Sequence, residues 1–181
     1  MADQSSITNI GRAPYILLQA LIETTFELVK LLGLRDSGAK IAQQLGSPED
    51  PLQALATLEL GMENLQVSAT PDGGRIVCLK GCPFAGVVNK LDPWSDNAKR
   101  MVRRFNESSR GGAAIHPICI GHLSVREAYG GINLGCRSTA SGQMAISVPA
   151  LLEEAGMTEE QVRERLDGNA CIYVLNNNGS L

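Results

Sequence analysis

The amino-acid sequence predicts an α+β protein, a single domain in which N-terminal helices pack on an antiparallel sheet. Three observations predict it. Up to Leu60 the apolar residues recur at helical spacing, and between Leu65 and Lys80 they follow a period of two on either side of Asp72-Gly73-Gly74. Strands joined by so tight a turn must run antiparallel. The chain has 181 residues, 44% apolar and 19% charged, enough to bury one sizeable core without disulfides.

Residues 1–12 read as a flexible leader and 13–175 as the domain. From Tyr15 the residues Ile16, Leu17, Ala20, Leu21, Phe26, Leu28, Val29, Leu31 and Leu32 cover more than one helical face. This is the pattern of a helix buried between neighbours, and a second copy of the chain is the expected neighbour, in a homodimer. Gly33 ends that helix. Asp36 caps a second one through Gln44, with Ile41, Ala42 and Leu45 as its stripe and Gly46 as its stop. Ser47, with Pro48 behind it and Asp50 and Pro51 beyond, opens a third, in which Leu52, Leu55, Leu58 and Leu60 share one side before Gly61.

After the Leu65–Lys80 hairpin, Pro93 opens a helix with Ala98, Met101, Val102 and Phe105 inward and Lys99, Arg100, Arg103 and Arg104 outward. Ser108 to Gly112 reads as a loop. A further helix runs behind Pro117 from Ile118 to Tyr129 and stops at Gly130-Gly131. Ile132 to Val148 reads as a hairpin turning near Ser141-Gly142. Pro149 to Gly156 and Thr158 to Leu166 read as two short helices, the second opened by a capping box of Thr158 and Gln161. Cys171 to Leu175 is the last predicted strand, and 176–181 a tail.

A formal charge of -3 and a pI near 5.4 argue against a broad phosphate-binding surface, so nucleic acid is not the expected partner. Aromatics at 4% leave no stacking platform. The apolar stretch from Ala13 to Leu34 carries Glu23, Glu27 and Lys30 and does not suit a membrane span. Met1 to Arg12 lacks the marks of an export signal, which predicts a cytoplasmic protein. Five cysteines in such a setting point to thiol or metal chemistry rather than to disulfides.

Potential soft ligands concentrate in Cys78, Cys82, His116, Cys119, His122 and Cys136. Cys119 and His122 stand three apart on a predicted helix, hence on one face, a workable ligand pair. Zinc takes about four ligands in a tetrahedron, so two more must come from Cys82, Cys78, Cys136 or His116 through folding. The expected set is Cys82, Cys119, His122 and Cys136, with zinc preferred over iron or an iron–sulfur cluster, which would want four thiolates. Cys78 and Cys171, each in an apolar strand, read as buried small hydrophobes. His116, just before Pro117, is expected to orient a ligand or line a pocket.

Two other classes of function fit the sequence. Cys119 with His122 could serve as a thiolate–imidazole pair in an enzyme or a cofactor-handling accessory protein. The basic face from Lys99 to Arg104 could dock the chain, as a subunit of a larger assembly, on an acidic partner. The glycines match neither a Walker loop nor G-x-G-x-x-G, and Glu153-Glu154 and Glu159-Glu160 read as solvated helix faces.

The segment Leu58 to Phe84, ending in Cys82-Pro83-Phe84, is followed by His116-Pro117-Ile118-Cys119-Ile120-Gly121-His122 at the head of a helix. With these, the stretch from Ile16 to Val148 resembles the vinyl-reductase-type hydrocarbon-binding domains of bacterial and archaeal sensors and accessory proteins. In that family a helix Cys after a Pro-x dipeptide, a strand Cys and a further Cys beyond a Gly turn hold a structural zinc beside a small-molecule pocket. Cys119 and Cys136 match the first two. Met144 and Ala145 stand where the third would be, and Leu134-Gly135 where the family has an acidic residue. The resemblance implies a small-molecule-binding or sensory domain for a small apolar or amphipathic ligand, with His122 and Cys82 standing in for the missing zinc ligand. Phe84, His116, Leu123 and Tyr129 are the expected pocket wall, from their nearness to the metal ligands.

Overall fold

A computed structural model describes residues 36–46, 50–86, 95–108, 112–138 and 141–176. The helix expected over Tyr15–Gly33 and its dimer contact lie outside these residues. So do the leader, Ser47, Pro93, most of the 108–112 loop and most of the tail. Helix α1 takes residues 36–45. Helix α2, Pro51–Leu58, is capped by Asp50, whose carboxylate accepts the Leu52 N–H at 3.0 Å and pairs with Arg75 at 2.6 Å.

Helix α2 ends before Leu60. Leu60 takes left-handed backbone at φ 65°, and the Gly61 N–H donates to Ala56 O at 2.9 Å, closing a Schellman turn. Leu60 therefore leaves the buried side and is 59% exposed, while Glu59, the C-cap, is turned inward. A short 3-10 turn over Met62–Asn64 leads into β1, Leu65–Ala69, and the Thr70–Gly74 turn into β2, Arg75–Leu79.

Helix α3 spans Asp96–Ser108, and α4, Pro117–Ala128, has Pro117 in its first turn, where a missing N–H costs nothing. Then follow β3, Gly131–Arg137; β4, Met144–Ile146; α5, Pro149–Glu154; α6, Glu159–Leu166, with the expected Thr158/Gln161 capping box; and β5, Cys171–Leu175. Among the described residues no helix is long and apolar enough to cross a membrane.

The strands form one antiparallel sheet in the order β1-β2-β5-β3-β4, so the C-terminal strand is inserted between the two hairpins. Strand alternation gives the sheet two apolar faces. Val77, Leu79, Tyr173 and Leu175 face the core that holds Leu55, Phe105, Ile120 and Leu123 from α2, α3 and α4. Ile76, Cys78, Ile172 and Val174 face Leu151, Val162 and Leu166 from α5 and α6. Each fully buried Leu or Val contributes about 1.5–3 kcal/mol. The helices thus cover both faces of the sheet, not one.

Strand β3 breaks the alternation. Ile132 and Leu134 lie on the α5/α6 face, but the register shifts between Asn133 and Gly135, so that Gly135 pairs with Ile172 and Cys136 with Cys171. An extra residue in one strand re-aims everything after it. Cys136 therefore joins the α4 face, where strict alternation from Leu134 would have placed it on the opposite one.

Candidate metal centre

Four chain segments bring cysteines to one place. Cys119 sits in the first turn of α4, Cys136 near the end of β3, Cys171 at the start of β5, and Cys82 just past β2. Their backbones are anchored locally. Asn64 holds the approach to Cys82, its amide donating to Glu59 O at 2.8 Å and Gly81 O at 2.9 Å while its oxygen accepts the Gly81 N–H at 2.9 Å. Asn106 grips Ala114 in the same way, at 2.7 and 2.9 Å, ahead of Ile115 and His116. Next to it Ala113 is buried at φ 74°, a backbone strain on the order of 1 kcal/mol that these bonds help to hold.

Cys82, Cys119, Cys136 and Cys171 line one cavity together with His116, and Ala85, Ile115 and Ala170 supply apolar wall. The cavity holds about 30 Å³, where one water needs roughly 10–15 Å³ or more. It is the size of an ion or a water or two. The four thiols are free of disulfides, and among the described residues no group of three or more His, Cys, Asp or Glu side chains is placed so that it could hold a metal ion.

The thiols differ electrostatically. Burial pushes Cys119 up to about 12 and also raises Cys82, whose sulfur accepts the Phe84 N–H at 3.4 Å. Interaction with the neighbouring Cys171 thiol, together with burial, raises Cys136 well above an ordinary thiol. The same interaction, helped by the Arg126 guanidinium, lowers Cys171 although burial opposes it.

His122 points elsewhere. Its Nε2 lies 3.2 Å from Glu59 Oε1 and 3.1 Å from an Arg126 nitrogen, and its ring meets Phe84 edge-on at 5.4 Å. Burial and the Arg126 charge lower its pKa, so at neutral pH the ring is uncharged and either donates to Glu59 or accepts from Arg126. His122, weighed above as the partner of a Cys119 nucleophile, is hydrogen-bonded to Glu59 and Arg126, while burial raises the Cys119 thiol. Of the expected pocket wall, His116 lines the cavity, and Phe84 stands between Cys82 and His122. Leu123 is 1% exposed in the core. Tyr129 donates its hydroxyl to Ala42 O at 3.0 Å and Gly46 O at 2.8 Å, which ties α1 to α4.

The network around His122 went unread in the sequence. Glu59 and Arg126 are both fully buried, with Arg126 Nε donating to Glu59 Oε1 at 2.6 Å and Tyr173 donating to Glu59 Oε2 at 2.7 Å. Arg126 also donates to Asn133 Oδ1 at 3.0 Å and lies over the Tyr173 ring at 4.4 Å. Burial works against the Glu59 charge, yet Arg126, His122 and Tyr173 hold its pKa down to about 2. A glutamate interrupting the stripe between Leu58 and Leu60 was the available signal; nothing local pairs it with Arg126.

No family model, curated protein or solved structure matches this chain.

Proposed function

We propose that this chain is a metal-binding domain in which Cys82, Cys119, Cys136 and Cys171 hold one zinc ion. The observation that carries the reading is that four thiols from four separate segments line one ion-sized cavity. Four thiolates are a complete donor set for structural zinc and equally for an iron–sulfur cluster. The volume of about 30 Å³ favours a single ion over a cluster of several iron and sulfur atoms. Zinc held by these residues would add folding free energy. Cys171 takes the place expected of His122, and the resemblance to the hydrocarbon-binding domains implies the same role for Cys119 and Cys136. Five free thiols suit a reducing compartment, the cytoplasm.

The test is metal content after anaerobic purification, with an absorption spectrum. Wild type is expected to carry about one zinc per chain and no visible absorbance. Cys171→Ser is expected to lose zinc, on the order of tenfold or more in affinity, while His122→Ala retains it. Zinc kept by Cys171→Ser and lost by His122→Ala would reject the four-thiol set, and iron with visible bands would replace zinc by a cluster.

A further inference from the structure

We infer that Cys136 and Cys171 form a redox-active dithiol, a modification site that closes to a cross-strand disulfide on reaction with a water-sized peroxide. The two residues face each other in the β3–β5 register and line the same cavity. The Arg137 N–H donates to Ala170 O at 2.8 Å, a bond that flanks the Cys136–Cys171 pair and marks it as a non-hydrogen-bonded position of the ladder. Opposed Cα atoms at such positions lie about 4.5 Å apart, inside the span of about 4.4–6.8 Å that a disulfide accepts. The bulge before Gly135 is what creates this facing pair, because without it Cys136 would point to the other side of the sheet.

The cavity has room for the oxidant, since about 30 Å³ admits a molecule the size of hydrogen peroxide. Cys171, 8% exposed against 2% for Cys136, reacts first. Its sulfur attacks one peroxide oxygen, the O–O bond breaks, and the departing hydroxide takes up the thiol proton as water, leaving a sulfenic acid. The Cys136 sulfur then attacks the Cys171 sulfur, the S–O bond breaks, and the hydroxide leaves with the Cys136 proton as a second water. In total two thiols lose two electrons, one peroxide gains them, and one S–S bond and two waters form.

The pair rests on strand register and not on the metal. Its coupling to the metal rests on the proposed function: a disulfide removes two of four ligands, so oxidation and zinc binding exclude each other. In the test, full-length protein is stripped with a chelator, treated with hydrogen peroxide, denatured, alkylated and mapped by peptide mass spectrometry. The expected product is a peptide pair joined through Cys136 and Cys171, with Cys78 alkylated. A parallel sample holding zinc at 100 times its dissociation constant should form that product roughly a hundredfold more slowly. The same linkage formed equally fast with zinc present would support the dithiol and refute the four-thiol zinc site. No linkage, or linkage through Cys82 or Cys119 instead, would overturn the dithiol.

Discussion

Glu59 carries a buried negative charge that three donors stabilise, and its consequences are testable residue by residue. Its pKa is held to about 2 against an ordinary 4.5, so the folded state binds this proton less readily than the unfolded chain. The stability it contributes is complete above about 4.5 and is lost as pH falls towards 2, by on the order of 3 kcal/mol. His122, whose pKa is also lowered, acts in the same direction below about 6.5. Denaturant unfolding at a series of pH values should show this fall, and a curve flat from pH 5 to 2.5 would contradict it. At neutral pH Glu59→Gln should cost about 3–5 kcal/mol, because Arg126 is left buried without its counter-charge. Glu59→Leu combined with Arg126→Met should recover much of that loss. At this scale the sequence singled out Cys82, Cys119 and Cys136 as soft donors, and all three line the one cavity. It hid Cys171, because a cysteine in an apolar strand is indistinguishable from a small hydrophobe until its cross-strand neighbour is known. It misdirected His122, because helical spacing puts it near Cys119 without saying which way either side chain turns.

At the scale of elements, the β3 bulge and the helix packed on it determine the site. Gly135 follows the register shift on the α6 side, and a Cβ there would stand 2.8 Å from Leu166 Cδ1 and 2.9 Å from Val162 Cγ1. Gly135→Val should therefore push α6 off the sheet and cost about 1–3 kcal/mol by overpacking. Thermal unfolding of the variant checks this, and a melting temperature equal to that of the wild type would refute the close contact. Helix starts and the first hairpin turn were legible because their signals are local: Pro117 opening α4, Thr158 with Gln161 opening α6, and Gly73 in the turn. The end of α2 was less so, since Leu60 took the left-handed position that a glycine was expected to mark. The bulge left no trace in the pattern, because Asn133, Leu134 and Gly135 alternate acceptably with or without it.

The whole molecule depends on where β5 goes. Its insertion between β2 and β3 closes the sheet and brings Cys171 beside Cys136 and across from Cys119. Strand order of this kind is set by long-range pairing, so the sequence could predict an antiparallel sheet with helices on it while leaving the centre of that sheet unassigned. The second helical layer followed from the same insertion, since a central strand buried on both faces needs α5 and α6 on one side as well as α4 on the other. The cavity is thus a product of the full topology, lined by thiols drawn from Cys82 to Cys171. X-ray absorption at the zinc edge, on the zinc-loaded full chain, tests it most directly. The account predicts four sulfur neighbours at about 2.3 Å and no nitrogen; a nitrogen neighbour at about 2.0–2.1 Å, or zinc that washes away, would contradict it.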